Sequence, residues 1–300
     1  MRPTLIVGSV AFDTLHIAER CHQKVLGGAA TYASLAASHF APVQLVGVVG
    51  RDFPDSATQL LRGRGIDIAG LEVADGETFH WEGRYSEDLS SRETLRTDLN
   101  VFADFKPKIP SAFRAAPFVM LGNIDPTLQL EVLEQMDKPS FVLADTMNLW
   151  IDIKHAELVK LCGRIDLLVL NDEEARQLTG KQNLVHAAHA LQQLGPKQVI
   201  IKKGEHGALL FQGQEVFALP ALPLSKVSDP TGAGDTFAGA LIGYLARAND
   251  LSSPSLRKAL VYGSVLASFC VEGIGVDGLA ATTPADVNAR YEQFRRLTSF

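Results

Sequence analysis

Leu167-Leu168-Val169-Leu170-Asn171-Asp172-Glu173-Glu174 is the stretch that decides the fold. Four consecutive apolar residues fit a strand covered on both faces. The polar cluster that ends the run starts a helix over 172–179, because Asn followed three residues later by Glu is a helix-capping pattern. A second helical stretch covers 184–194, and Val199-Ile200-Ile201 is the next buried strand. Strand, helix and strand in that order make a βαβ unit with parallel strands. Upstream, the same alternation recurs. Leu5–Val10, Val43–Val49, Phe118–Leu121 and Phe141–Leu143 are strand runs, with helices around 29–39, 55–63, 127–136 and 151–162. Beyond about residue 236 the chain turns helical, at 236–248, 255–271 and 284–297. The reading is a three-layer α/β/α sandwich with a mostly parallel central sheet.

One region breaks the pattern. Thr78, His80, Glu82 and Arg84 alternate with Phe79, Trp81, Gly83 and Tyr85. Ser86–Ser90 reads as a turn, after which Leu95, Thr97, Leu99 and Val101 alternate with Arg96, Asp98 and Asn100. This is a hairpin with one apolar face. A lone hairpin is marginal in water, so that face must cover something. Residues 76–102, with part of 11–25, are read as a β lid inserted in a single domain spanning 1–300. Its underside closes over a substrate or pairs with a second copy into a homodimer. Arg84, Arg92 and Arg96 are candidates for a substrate phosphate but read first as solvated hairpin charges.

The chain has 300 residues, 28 Lys+Arg against 34 Asp+Glu, and a formal net charge of −6. That balance disfavours nucleic-acid binding through a broad basic face. With 46% hydrophobic and 21% charged residues, global disorder is excluded. Cys21, Cys162 and Cys270 are odd in number and widely spaced, which fits a reducing compartment rather than a disulfide framework. No stretch approaches the roughly 20 apolar residues of a membrane helix. The expectation is a cytoplasmic protein with no membrane partner.

In a parallel α/β sheet, ligands bind beyond the carboxyl ends of the strands. Asp13, Asp52, Asn123, Asp145, Asn171 and Lys202-Lys203-Gly204 all follow strand runs, so they gather on one edge. The richest segment is Asp229-Pro230-Thr231-Gly232-Ala233-Gly234-Asp235-Thr236-Phe237. Two glycines allow a tight turn that exposes N–H groups, and the helix that follows adds partial positive charge. Asp235 puts a carboxylate beside this anion site, which suits a general base next to a phosphoryl acceptor. No Gly-Lys-Ser/Thr follows the glycines, so this is not a Walker A loop.

Asp229–Phe237 resembles the C-terminal signature of the PfkB carbohydrate kinases of the ribokinase superfamily. Gly27-Gly28 before a small-residue helix resembles the N-terminal one. Val48–Asp52, Asn171-x-x-Glu174 and Gly204-x-x-Gly207 fall in the family's order, and the resemblance spans roughly residues 5–285. It implies an ATP-dependent phosphotransfer to a hydroxyl of a small sugar or related polyol. By that resemblance, Asp235 is the base, and the N–H groups of Gly232, Ala233, Gly234 and Asp235 form the anion hole. Asn171 and Glu174 position Mg²⁺ and the ATP phosphates, Glu174 through water. Lys202, Gly204 and Gly207 lie at the nucleotide, and Tyr262–Gly278 helps form the adenine pocket. Asp229 and Thr231 mark a monovalent-cation (K⁺) site found in some members. Asp13, Gly27, Gly28 and Tyr32 lie at the sugar.

Two departures bear on the acceptor. Tyr32 stands where the signature usually carries Asn, and Ala11 stands where ribokinases have an Asn. Loss of two sugar-binding amides weakens ribose as substrate without touching the phosphotransfer chemistry. Tyr32, Phe79, Trp81, Tyr85 and Trp150 offer faces for a sugar ring or nucleobase, with ordinary packing as the first reading. The alternatives are a nucleoside kinase of the same fold and a catalytically silent PfkB-like nucleotide-binding protein.

Overall fold

The chain begins with β1 (Thr4–Val7), the ribbon β2 (Ala11–Ile17) and β3 (Arg20–Gly27), and helix α1 (Ala29–Ala37). Strand β4 (Val43–Val49), helix α2 (Asp55–Gly63), strand β5 (Ile66–Val73) and the hairpin β6 (Phe79–Tyr85) and β7 (Arg92–Asp98) follow. The middle alternates through β8 (Phe118–Leu121), α3 (Pro126–Glu134), β9 (Phe141–Asp145), α4 (Asn148–Ile153) and α5 (His155–Cys162). It continues with β10 (Leu167–Asn171), α6 (Asp172–Thr179), α7 (Leu184–Gln193) and β11 (Gln198–Lys202). Then come β12 (Ala208–Gln212), β13 (Glu215–Leu219) and the helices α8 (Ala233–Ala248), α9 (Ser253–Glu272), α10 (Asp277–Ala281) and α11 (Pro284–Leu297). The computed structural model describes residues 1–89 and 91–299; Ser90, part of the turn read from the sequence, lies outside the described residues.

The main sheet has the order β13-β12-β11-β10-β9-β8-β1-β4-β5, and only β12 and β13 pair antiparallel. From β1 the chain builds outward through β4 and β5, then returns to β1's other side for β8 to β11. The carboxyl ends beside that reversal are where an open α/β sheet holds a ligand. Both faces are covered. Leu167 and Val169 join the core formed with α1, α8 and α9, whereas Leu168 and Leu170 join the core formed with α3, α5 and α7. Each such leucine, wholly buried, contributes about 1.5–3 kcal/mol of transfer free energy. This double coverage is why these strands read as unbroken apolar runs.

The second sheet has the order β3-β2-β6-β7. The hairpin is therefore supported by β2, to which β6 runs parallel with Asp13 opposite Trp81. Its outer face carries polar pairs, His80 with Thr14 at 2.9 Å and His16 with Glu82 at 2.7 Å. Its inner face carries Asp13, Phe79, Trp81 and Tyr85. Phe79 stacks on Phe102 with ring centroids 5.3 Å apart, and Tyr85 is buried. Phe79 and Tyr85 of the underside are thus engaged within the chain, while Trp81 stays half-buried.

The hairpin is shorter than its sequence pattern. Strand β7 stops at Asp98, because Asn100 takes a left-handed φ of 48° and opens a 3-10 turn, Asn100–Asp104. Its side-chain amide donates to the Thr78 carbonyl at 2.9 Å, so Leu99 and Val101 leave the sheet. The helix read at 151–162 is two helices, broken at Lys154, whose φ is −135°. Helix α8 starts at Ala233 rather than 236, because Gly232 with φ 74° caps it. Strands β5, β12 and β13 and helix α10 escaped the sequence reading; β5 and β13 are half-exposed edge elements. Among the described residues, no helix is long and apolar enough to cross a membrane.

Candidate active site

The turn before α8 is fixed by its neighbours. Asp229 accepts from the Thr231 N–H through Oδ1 and from the Gly275 N–H through Oδ2, both at 2.9 Å. It therefore locks the turn to the loop after α9. Gly232 has room for no side chain, since a Cβ there would overlap the Tyr32 ring. No side chain caps α8, so part of its first turn of N–H groups faces the site. The Ala233 N–H is already engaged by the Pro230 carbonyl at 3.3 Å. Asp235 lies in that first turn. Burial, then the neighbouring Asp145 carboxylate, push its pKa up to about 7 against the pull of Lys202 and Arg92.

At the ends of β9, β10 and β11, Asp145 lies opposite Val169 and Lys202 opposite Asn171. The Lys202 ammonium donates to Asp145 Oδ2 at 3.0 Å. It also rests on the turn, since a Cβ on Gly234 would lie 2.9 Å from Lys202 Nζ. Burial opposes the charge on Lys202, but Asp145 and Glu174 outweigh it and raise its pKa. Asn171 and Glu174 form a reciprocal capping box on α6, with both bonds at 2.7 Å. Burial first, and Asp145 after it, push the Glu174 pKa up to about 7 although Lys202 pulls it down. Gly204 takes a left-handed φ of 53° and starts a short 3-10 turn. Gly207 is explained by the fold itself: a Cβ there would overlap the Leu219 carbonyl.

These residues fit a metal–nucleotide complex. Glu174 is a buried carboxylate whose proton affinity burial and Asp145 raise against the pull of Lys202, so further positive charge beside it would stabilise its ionised form. Among the described residues, no three His, Cys, Asp or Glu side chains are grouped to hold a metal alone. A hard cation here would take its remaining oxygen ligands from phosphates and water, the habit of Mg²⁺. The residues expected at a K⁺ site are bonded within the protein. Both Asp229 oxygens accept backbone N–H groups, and Thr231 Oγ1 bonds the Tyr85 hydroxyl at 2.8 Å. Asp229 and Thr231 act here as a clamp between loops.

On the acceptor side, Asp13 is buried on β2. Burial, then the charges of Asp229 and Asp235, push its pKa up to about 8. Gly27 must be glycine because a Cβ would overlap the Asp13 carboxylate. Gly28 has φ 94°, and a Cβ there would lie 2.5 Å from the Ser9 carbonyl. Tyr32 is 1% exposed and packed beneath Gly232, so it supports the turn and presents no open face. Trp150 donates from Nε1 to Asn123 Oδ1 at 2.8 Å on α4, apart from the lid aromatics. Tyr262 stacks between Tyr244 and Tyr291, centroids 4.8 and 4.6 Å away, beside the distal half of α8 and not at its N-terminus.

The profile of the pfkB family carbohydrate kinases matches residues 3–283. The chain belongs to that family. It is an ATP-dependent phosphotransferase with the ribokinase-like α/β fold. This kinase is 32% identical over 257 residues to the cytidine kinase of Thermococcus kodakarensis, covering 84% of this chain and 91% of that one. It is 28% identical to the nucleoside kinase of Methanothermobacter thermautotrophicus, covering 91% of each. In structure it resembles the ribokinase of Arabidopsis thaliana complexed with ribose and ATP, with a TM-score of 0.79, 22% identity, and 97% and 99% of the two chains covered.

The strand-end position of Asp145 marks it in the sequence, but nothing there shows its bond to Lys202. Tyr85 reads as an aromatic face and Arg92 as a phosphate candidate or a solvated charge; the bond from Tyr85 to Thr231 is seen only in the fold.

Proposed function

We propose that this kinase transfers the γ-phosphoryl group of ATP to a hydroxyl of a nucleoside. The observation that carries the acceptor class is Trp81, set opposite Asp13 on the inner face of the lid sheet. A carboxylate beside an aromatic plane suits a ligand with sugar hydroxyls at one end and a flat base at the other. Gly83 lets the indole lie along the strand, since a Cβ there would overlap the ring. Relatives alike over most of their length are named cytidine kinase and nucleoside kinase, and the missing amides at Ala11 and Tyr32 argue against free ribose.

In this reading Asp13 accepts hydrogen bonds from the sugar and Asp235 takes the proton of the attacking hydroxyl. The hydroxyl oxygen bonds the γ-phosphorus, the bond to the bridging oxygen breaks, and ADP leaves with that electron pair. The turn Gly232–Asp235 and Lys202 hold the phosphates. Glu174 would help hold Mg²⁺ bound with the nucleotide, which would neutralise charge on the phosphate oxygens. The lid excludes water, which would otherwise take the phosphoryl group.

A panel of nucleosides and free sugars, assayed with ATP and Mg²⁺ for phosphorylated product, tests the acceptor. Stacking contributes about 1–3 kcal/mol per base. A nucleoside should therefore exceed free ribose in kcat/KM by between about 5-fold and about 160-fold. Phosphorylation of free sugars but no nucleoside overturns the proposal.

A further inference from the structure

Three arginines on the lid look alike in sequence, and the fold separates them. Arg84 faces outward and pairs with Glu93 at 3.7 Å; Arg96 pairs with Asp98 at 2.7 Å. Among the described residues, Arg92 has no carboxylate at ion-pair distance. It stands opposite Tyr85 in the β6–β7 ladder, and opposed residues of an antiparallel pair share a face. Arg92 is therefore on the inner face. Its guanidinium carbon lies 5.6 Å from the centroid of the Trp81 ring. The neighbouring Tyr85 hydroxyl is bonded to Thr231 of the glycine-rich turn, which holds this end of the lid over the site.

The charge around that point calls for a second cation. Asp13, Asp145, Glu174, Asp229 and Asp235 converge there, and Lys202 is already bonded to Asp145. A triphosphate brings further negative charge. The positive charge of Arg92 lowers the proton affinity of Asp13, on the acceptor side, and of Asp235 and Glu174, on the phosphate side. Its inner-face place beside Trp81 and Tyr85 puts that charge on the side of the small sheet that faces both groups.

We propose that Arg92 is a further catalytic residue, a lid arginine that contacts the phosphoryl group as it passes from the nucleotide to the acceptor hydroxyl. This rests on the phosphotransfer reading above. A planar guanidinium suits a phosphoryl group whose charge spreads over its equatorial oxygens. Because Arg92 travels with the lid, closing over the acceptor would complete the charge balance of the site and commit the phosphoryl group to transfer.

The test compares Arg92→Ala and Arg92→Lys with Arg84→Ala, using the acceptor best used by the wild type. With Arg92→Ala, kcat should fall on the order of 10³-fold, the lower end of what an arginine supplies to phosphoryl transfer. Arg92→Lys should fall between, Arg84→Ala should stay at the wild-type level, and KM for ATP should change little. ADP with aluminium fluoride and acceptor, a mimic of the phosphoryl group in transit, should raise the melting temperature of wild type but not of Arg92→Ala. An Arg92→Ala enzyme with near-wild-type kcat overturns the proposal. So does one that loses kcat yet gains the same thermal shift from the mimic. Should Arg92→Ala fail to fold, Arg92→Lys faces the same two criteria. A wild type that turns over no acceptor would instead refute the phosphotransfer reading.

Discussion

The hydroxyls of Tyr85 and Thr231 lie 2.8 Å apart in a buried contact between residues 146 positions apart in the chain. One belongs to the lid sheet and the other to the turn that starts α8. One hydrogen bond thereby ties the small sheet, the proposed lid, to the turn proposed as the anion site. Tyr85→Phe keeps the ring and removes the bond, a loss of about 0.5–1.5 kcal/mol net. The acceptor KM should rise by between about twofold and about tenfold, with KM for ATP unchanged. Equal rises in both constants would show that the bond shapes the turn and does not hold the lid.

Asp235 should set the acid limb of the pH profile. Its pKa is pushed up to about 7, and a general base works only when ionised. kcat/KM should therefore climb as pH rises through that value and level off above it. Asp235→Asn should lower kcat by about 10²–10⁴, the usual worth of a general base, and leave ATP binding intact. Steady-state rates across pH check the first outcome, and calorimetric titration with nucleotide checks the second.

Asp13 should show itself in stability. Its pKa moves from an ordinary 3.8 to about 8 on folding, so between those values the native state holds more protons than the unfolded one. Stability from this group is then complete below the lower value and is lost as pH rises through the upper one. Asp13→Asn removes the buried charge. Its melting temperature relative to wild type should be more favourable at about pH 9 than at about pH 5. A difference independent of pH would mean that Asp13 is ionised throughout.

The parallel layers were legible because Leu167–Leu170 and Val199–Ile201 are buried on both sides, and burial on both sides leaves an unbroken apolar run. Asp229–Phe237 was legible as an anion-binding turn because glycine spacing carries backbone shape directly. Other features leave no such mark. Whether Arg92 or Arg84 faces the site depends on pairing with β2 and on which hairpin face meets the body, a long-range choice. Tyr32 reads as an available aromatic face until Gly232 is seen packed on its ring. Asp145 reads as one strand-end acid among several until β9 and β11, separated in the sheet only by β10, bring Lys202 to it.

Glu174 separates a structural role from a functional one. Its Oε2 accepts from the Asn171 N–H at 2.7 Å, completing the cap of α6. Glu174→Gln keeps an oxygen in that place, so the cap survives and the melting temperature should change little. The charge does not survive, and the charge is what a divalent cation would use. If the carboxylate holds Mg²⁺ through water, the Mg²⁺ concentration giving half-maximal rate should rise several-fold. Chelation of divalent cations should abolish turnover in both proteins. Asn171→Ala is the complementary change. Losing an N-cap costs about 1 kcal/mol, so it should lower the melting temperature. Titration of the rate with Mg²⁺, beside thermal melts of the three proteins, decides the matter. An unchanged Mg²⁺ requirement in Glu174→Gln would leave Glu174 with capping as its whole role.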